Sequence, residues 1–129
     1  MKDKANEFFD EAIEKLNVAR EELFRPEEDL VYFSVCTNSK LAIENFLIGY
    51  LLQSGFDPSP YKTIDSLYEE CKKLNKNFDK VNLSDFDCKS NNIESGYCME
   101  GTKVCACFNI ADSLNSFLKQ EKINNYTTL

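Results

Sequence analysis

Apolar residues recur along the chain at helical spacing in four places. In the first segment, from about Asp3 to Phe24, Ala5, Phe8, Phe9, Ala12, Ile13, Leu16, Ala19 and Leu23 fall three and four apart, with acids and lysines between them. That period predicts an amphipathic helix with one buried stripe. Arg25-Pro26 closes it, because the residue before proline is pushed out of the α region. Pro26 then suits the first position of a second helix, with Glu27, Glu28 and Asp29 at its positive end. This second segment runs to about Gln53. Val31, Tyr32, Val35, Cys36, Ala42, Ile43, Phe46, Leu47 and Tyr50 form a very wide apolar face, and Leu41 and Ile48 extend it into the polar side. A helix apolar over so much of its circumference is buried on more than one side. It is expected to be the central element.

Gly55, Pro58 and Pro60 mark a loop that reverses the chain. A third helix is expected from Thr63, a suitable N-cap, to about Asn75, with Ile64, Leu67, Tyr68, Cys71 and Leu74 on one face. Residues 77–101 are polar and interrupted, anchored by Phe78, Val81, Leu83, Phe86 and Ile93, which reads as a structured connection with short helical turns. The last segment, Thr102 to about Lys119, places Val104, Cys107, Phe108, Ala111, Leu114 and Phe117 or Leu118 together. A strand reading of KVCACFNI is open on composition, but the period continues through Phe117 and favours helix. The tail INNYTTL is expected to fray. The fold class implied is all-α: an antiparallel up-down bundle of four to five helices forming one domain over residues 1–129.

Composition narrows the chemistry. At 129 residues, 43% apolar and 29% charged, the chain can bury a single core. No window approaches the length of an uncharged membrane span, so no membrane partner is expected. The N-terminus alternates charge with apolar residues, unlike a signal or transit peptide, and points to a cytoplasmic protein. The net charge of −7 and only two arginines, Arg20 and Arg25, oppose nonspecific binding of nucleic acid. There is no histidine, which removes the commonest general base and zinc ligand.

The segment YFSVCTNSKLAIENFLIGYLLQSG resembles the second helix of HEPN-domain proteins, with Ala42, Glu44, Leu47, Leu51 and Gly55 on that family's pattern. KTIDSLYEECKKLNKNF is similar to the third helix, and SGYCMEGTKVCACFNIADSLNSFLKQ to the closing section, with Tyr97 in its turn. The resemblance spans about Phe8 to Lys119. It implies a helical bundle that dimerises through its long helices, and many such proteins are ribonucleases or toxins paired with a small nucleotidyltransferase. The family's active site is an arginine followed four to six residues later by histidine, near the start of the last helix. This chain departs from that pattern, since it lacks histidine and neither arginine lies there. The nearest polar pair of suitable spacing is Lys103 and Asn109, and asparagine cannot act as a general base at neutral pH. The resemblance therefore implies a non-catalytic binding or association module, with a homodimer, a nucleotidyltransferase partner and a nucleotide ligand as the expected associations.

The best candidate site is the polar strip Ser34, Thr37, Asn38, Lys40, Glu44 and Asn45 of the second segment. Lys40 and Glu44 lie one turn apart, able to pair or to flank a cleft. A binding role would use Asn38 and Lys40 on a base edge or phosphate, with Tyr97 closing one side and Lys103 and Asn109 contributing from the last helix. A packing role, in which these groups set register at a dimer seam, is the favoured alternative. Two further readings stay open: a divergent ribonuclease using Lys103, Asn109 and Tyr97, and a small metal or redox module built on Cys88, Cys98, Cys105 and Cys107. Metal is not expected. The spacings lack paired Cys-x-x-Cys, and on a helix Cys105 and Cys107 point about 200° apart. Cys36 and Cys71 fall inside apolar patterns, where cysteine serves as a small core residue. No cofactor is implied.

Overall fold

The computed structural model describes residues 2–23, 32–81 and 101–120. These form α1 (Lys2–Leu23), α2 (Tyr32–Gln53), α3 (Ile64–Leu74), a 3-10 helix (Lys76–Lys80) and α4 (Gly101–Gln120), with no strand among the described residues. The chain is a helical bundle in which α2 touches α1, α3 and α4. The expected start of the second helix at Pro26, the anchors Leu83, Phe86 and Ile93, and the tail INNYTTL lie outside the described residues.

α1 buries Ala5, Phe9, Ala12, Leu16 and Ala19, spaced four, three, four and three. Alanine recurs every seven residues along this seam, so a neighbouring helix can approach closely between the Phe9 and Leu16 knobs. α2 receives them. The ring of Phe9 fills the space beside Gly49, where an added Cβ would lie 2.8 Å from Phe9 Cε1.

Gly55 ends α2 for a local reason. Its φ of 88° is left-handed, which glycine adopts without steric cost. Gly55 N–H donates to the Leu52 carbonyl at 3.0 Å and Phe56 N–H to that of Leu51 at 2.9 Å, the paired bonds of a Schellman motif. Across the loop, Ser59 N–H donates to Asp57 Oδ1 at 3.0 Å, and Tyr61 N–H to the Pro58 carbonyl. Thr63 then caps α3 in a capping box with Ser66: its Oγ1 accepts from Ser66 N–H at 3.1 Å while Thr63 N–H donates to Ser66 Oγ.

The 3-10 helix supplies the first of the short helical turns expected after the third helix. Phe78 is fully buried, edge-on to Tyr50 at 4.8 Å between centroids and tilted against Phe117 at 4.7 Å. The Tyr68 hydroxyl donates to the Val81 carbonyl at 2.6 Å and lies 2.9 Å from that of Phe78, which fixes the 3-10 helix on α3. From α4, Cys107, Phe108, Ile110, Ala111, Leu114, Phe117 and Leu118 close the core.

Candidate functional site

α2 carries the proposed polar strip, and its local chemistry sets where those groups can reach. From Ser34 to Gln53 every side chain of α2 is buried or half-buried, and none is exposed. Ser34, Asn38, Leu41, Asn45 and Ile48 follow one another at intervals of four and three along the half-buried side. The stripe therefore alternates amides with large apolar groups. Asn38 Nδ2 donates to the Ser34 carbonyl at 2.9 Å and to Ser34 Oγ at 3.2 Å, and Asn45 Nδ2 donates to the Leu41 carbonyl at 2.9 Å. Each amide is thus held against its own helix by its nitrogen. On the flank, Lys4, Glu7, Phe8 and Glu11 of α1 and Asn45 line an open hollow of about 250 Å³.

Lys40 and Glu44 come together one turn apart on α2. Glu44 is half-buried, and burial raises its carboxyl above the usual carboxylate range while the Lys40 charge opposes the rise. Among the described residues, the hydroxyls of Thr37 and Ser39 are buried without a hydrogen-bond partner. Ser39 is fully buried, on the same face of α2 as the core residues Val35, Ala42, Ile43 and Phe46.

Asn38 and Asn109 are not brought together by any described contact. The facing point of α2 and α4 is Cys36 with Cys107, whose sulfurs lie 3.9 Å apart. Asn38 and Asn109 each follow that contact by two residues, which turns them about 200° from it on their own helices. Asn109 is exposed. Lys103 lies in the first turn of α4, with its side chain outside the described residues, and Tyr97 is outside them altogether.

Two polar or reactive constellations were missed by the reading of the sequence. The first is a tether between α1 and α4: Arg20 Nη2 donates to Asp112 Oδ1 at 2.8 Å, and its guanidinium lies 5.4 Å from the Phe108 ring centroid. These residues stand 92 apart, beyond any local period. The second is sulfur. Cys36 is buried as expected of a core cysteine, yet it is disulfide-bonded, while Cys71 is a free thiol. Cys71 is an inert core group, its thiol pushed up by burial and lying 3.7 Å from the Leu47 carbonyl. Among the described residues no group of three or more His, Cys, Asp or Glu could hold a metal ion, and no helix is long and apolar enough to cross a membrane.

No protein-family model, no curated protein and no solved structure matches this chain.

Proposed function

We propose that this chain is a non-catalytic association module of HEPN-like, antiparallel up-down architecture, which pairs with a second copy of itself through α2. The observation that carries this reading is the stripe Ser34, Asn38, Leu41, Asn45 and Ile48 on a helix with no exposed described side chain between Ser34 and Gln53. Apolar groups alternating with asparagines at four-three spacing suit a helix seam, where a polar group at the contact line specifies register. A twofold axis across α2 sets Leu41 and Ile48 of each copy against the other, and the Asn38 and Asn45 carboxamide oxygens face acceptor-seeking groups of the partner. The antiparallel order of the first two helices is supported by Phe9, early in α1, packing on Gly49, late in α2. Binding of a nucleotide, or of a small nucleotidyltransferase, is a further role that the HEPN resemblance suggests, with Asn38, Lys40, Glu44, Tyr97, Lys103 and Asn109 as the residues to vary. Its setting would be cytoplasmic. In that setting the Cys36 disulfide would belong to the transient, redox-sensing kind.

Sedimentation velocity of the wild type and of Leu41→Asp and Ile48→Asp tests the reading. The expected result is a dimer that dissociates in both variants with unchanged helical circular dichroism. A wild-type monomer at all accessible concentrations, or a dimer indifferent to both substitutions, overturns it.

A further inference from the structure

We infer that the second copy docks antiparallel on a face two helices wide, with α1 of each copy along α1 of the other and Glu11 facing Lys15 across the twofold axis. This rests on the self-association through α2 proposed above, and adds a second surface that fixes its orientation. Phe8, Glu11, Lys15 and Val18 follow one another on α1 at intervals of three, four and three, beside the buried seam and separate from it. They lie on the flank of α1 next to the half-covered side of α2, since Phe8 and Glu11 share the hollow of about 250 Å³ with Asn45. The other flank is taken by α4, where Arg20 reaches Asp112. Read from either end, the stripe runs apolar, charged, oppositely charged, apolar. Reversed against itself, it sets Glu11 opposite Lys15 and Phe8 opposite Val18, and no like charges in it meet. Within one chain Lys15 pairs with Glu11 at 3.5 Å, the two side chains 31% and 46% exposed. In the dimer each of these charges gains a second opposite neighbour. Val18, 38% exposed in the single chain, enters the second copy's hollow beside Phe8. Val18 thus serves association, and its truncation leaves the fold of each chain as it is.

A twofold axis running across both helices must cross them at one height. The α1 stripe puts that height midway between Glu11 and Lys15, at Ile13. The α2 stripe puts it midway between Leu41 and Ile48, beside Asn45. Along antiparallel helices, Phe9 beside Gly49 brings Ile13 level with Asn45. Two unrelated patterns therefore choose the same axis to within one residue of rise, about 1.5 Å. That agreement, with the matching of charge in the α1 stripe, names a second copy of this chain as the occupant of the face.

The test is sedimentation velocity of the full chain at low salt, for the wild type, Leu41→Asp, Glu11→Lys, Lys15→Glu, and an equimolar mixture of the last two. Glu11→Lys sets two positive charges against each other on both sides of the axis, and Lys15→Glu sets two negative ones. Each alone should weaken the dimer about tenfold, with unchanged helical circular dichroism. The mixture should recover most of the wild-type affinity as a heterodimer, because every facing pair is again of opposite sign, and the recovery should shrink as salt is raised. A wild-type dimer that Leu41→Asp dissociates but both charge reversals leave unmoved overturns the antiparallel face and spares the pairing through α2. A mixture that associates no more tightly than the separate variants overturns it likewise. A wild-type monomer overturns both.

Discussion

α1 and α2 are the same length, 22 residues, and pack on one another, yet they are built differently. α1 is a two-sided helix. It buries a stripe of Ala5, Phe9, Ala12, Leu16 and Ala19 and exposes Lys4, Glu7, Asp10, Glu14, Asn17, Val18 and Glu21. α2 exposes no described side chain from Ser34 to Gln53, because α1, α3 and α4 surround it and its last side is half-covered. The difference teaches where sensitivity to change should lie. On α1 a substitution matters only on one stripe. On α2 it matters at nearly every position, including the polar ones.

The sharpest way to break this contrast is to truncate one apolar residue on each helix. Phe46 on α2 is fully buried, so Phe46→Ala should cost about 3–5 kcal/mol through lost burial and the cavity left behind. Val18 on α1 is 38% exposed, and Val18→Ala should change stability by less than about 0.5 kcal/mol. Urea denaturation of the two variants decides the matter. Equal losses would mean that α2 is no more central than α1.

A smaller effect is expected where the helices meet most closely. Gly49→Ala would improve helix propensity by about 1 kcal/mol in isolation. Its new Cβ would press on Phe9, a buried ring that cannot swing away, at 2.8 Å. The net result should be a loss of about 1–3 kcal/mol, recovered in part by Phe9→Leu in the double variant. A stabilised single variant would show that the α1–α2 spacing is looser than described.

The smallest effect separates the half-covered side of α2 from a solvated one. Because burial raises the Glu44 carboxyl above its ordinary value of 4.5, the folded state holds that proton more tightly than the unfolded chain does. Its favourable contribution is complete below the ordinary value and is lost as pH rises through the raised one. Glu44→Gln should therefore flatten the fall in stability above pH 4.5 relative to the wild type. Urea midpoints measured between pH 4 and pH 7 check this. A curve for Glu44→Gln identical to that of the wild type would place Glu44 in water.

Much of this was legible in the residues. The stripe of α1 follows from its spacing, the stop at Gly55 and the cap at Thr63 are local backbone chemistry, and the breadth of the apolar face already marked α2 as central. The candidate site was legible only in part. Lys40 and Glu44 could be paired from the helical period, but Asn38 and Asn109 could not be placed relative to one another, because that depends on how two helices are rotated where they touch. Cys36 looked like any small core residue, since its pattern carries no sign of a sulfur 71 positions away.

The sequence by itself determined the helices, the stop at Gly55, the cap at Thr63 and the faces the helices bury, because these follow from periodicity and from bonds between residues a few positions apart. It also determined that no histidine chemistry is available. Only the tertiary structure decided that Phe9 fills the gap at Gly49, that Arg20 reaches Asp112, and that Cys107 faces Cys36. Those contacts depend on the rotation and offset of whole helices, set by the fit of all their side chains at once, and no local pattern encodes them.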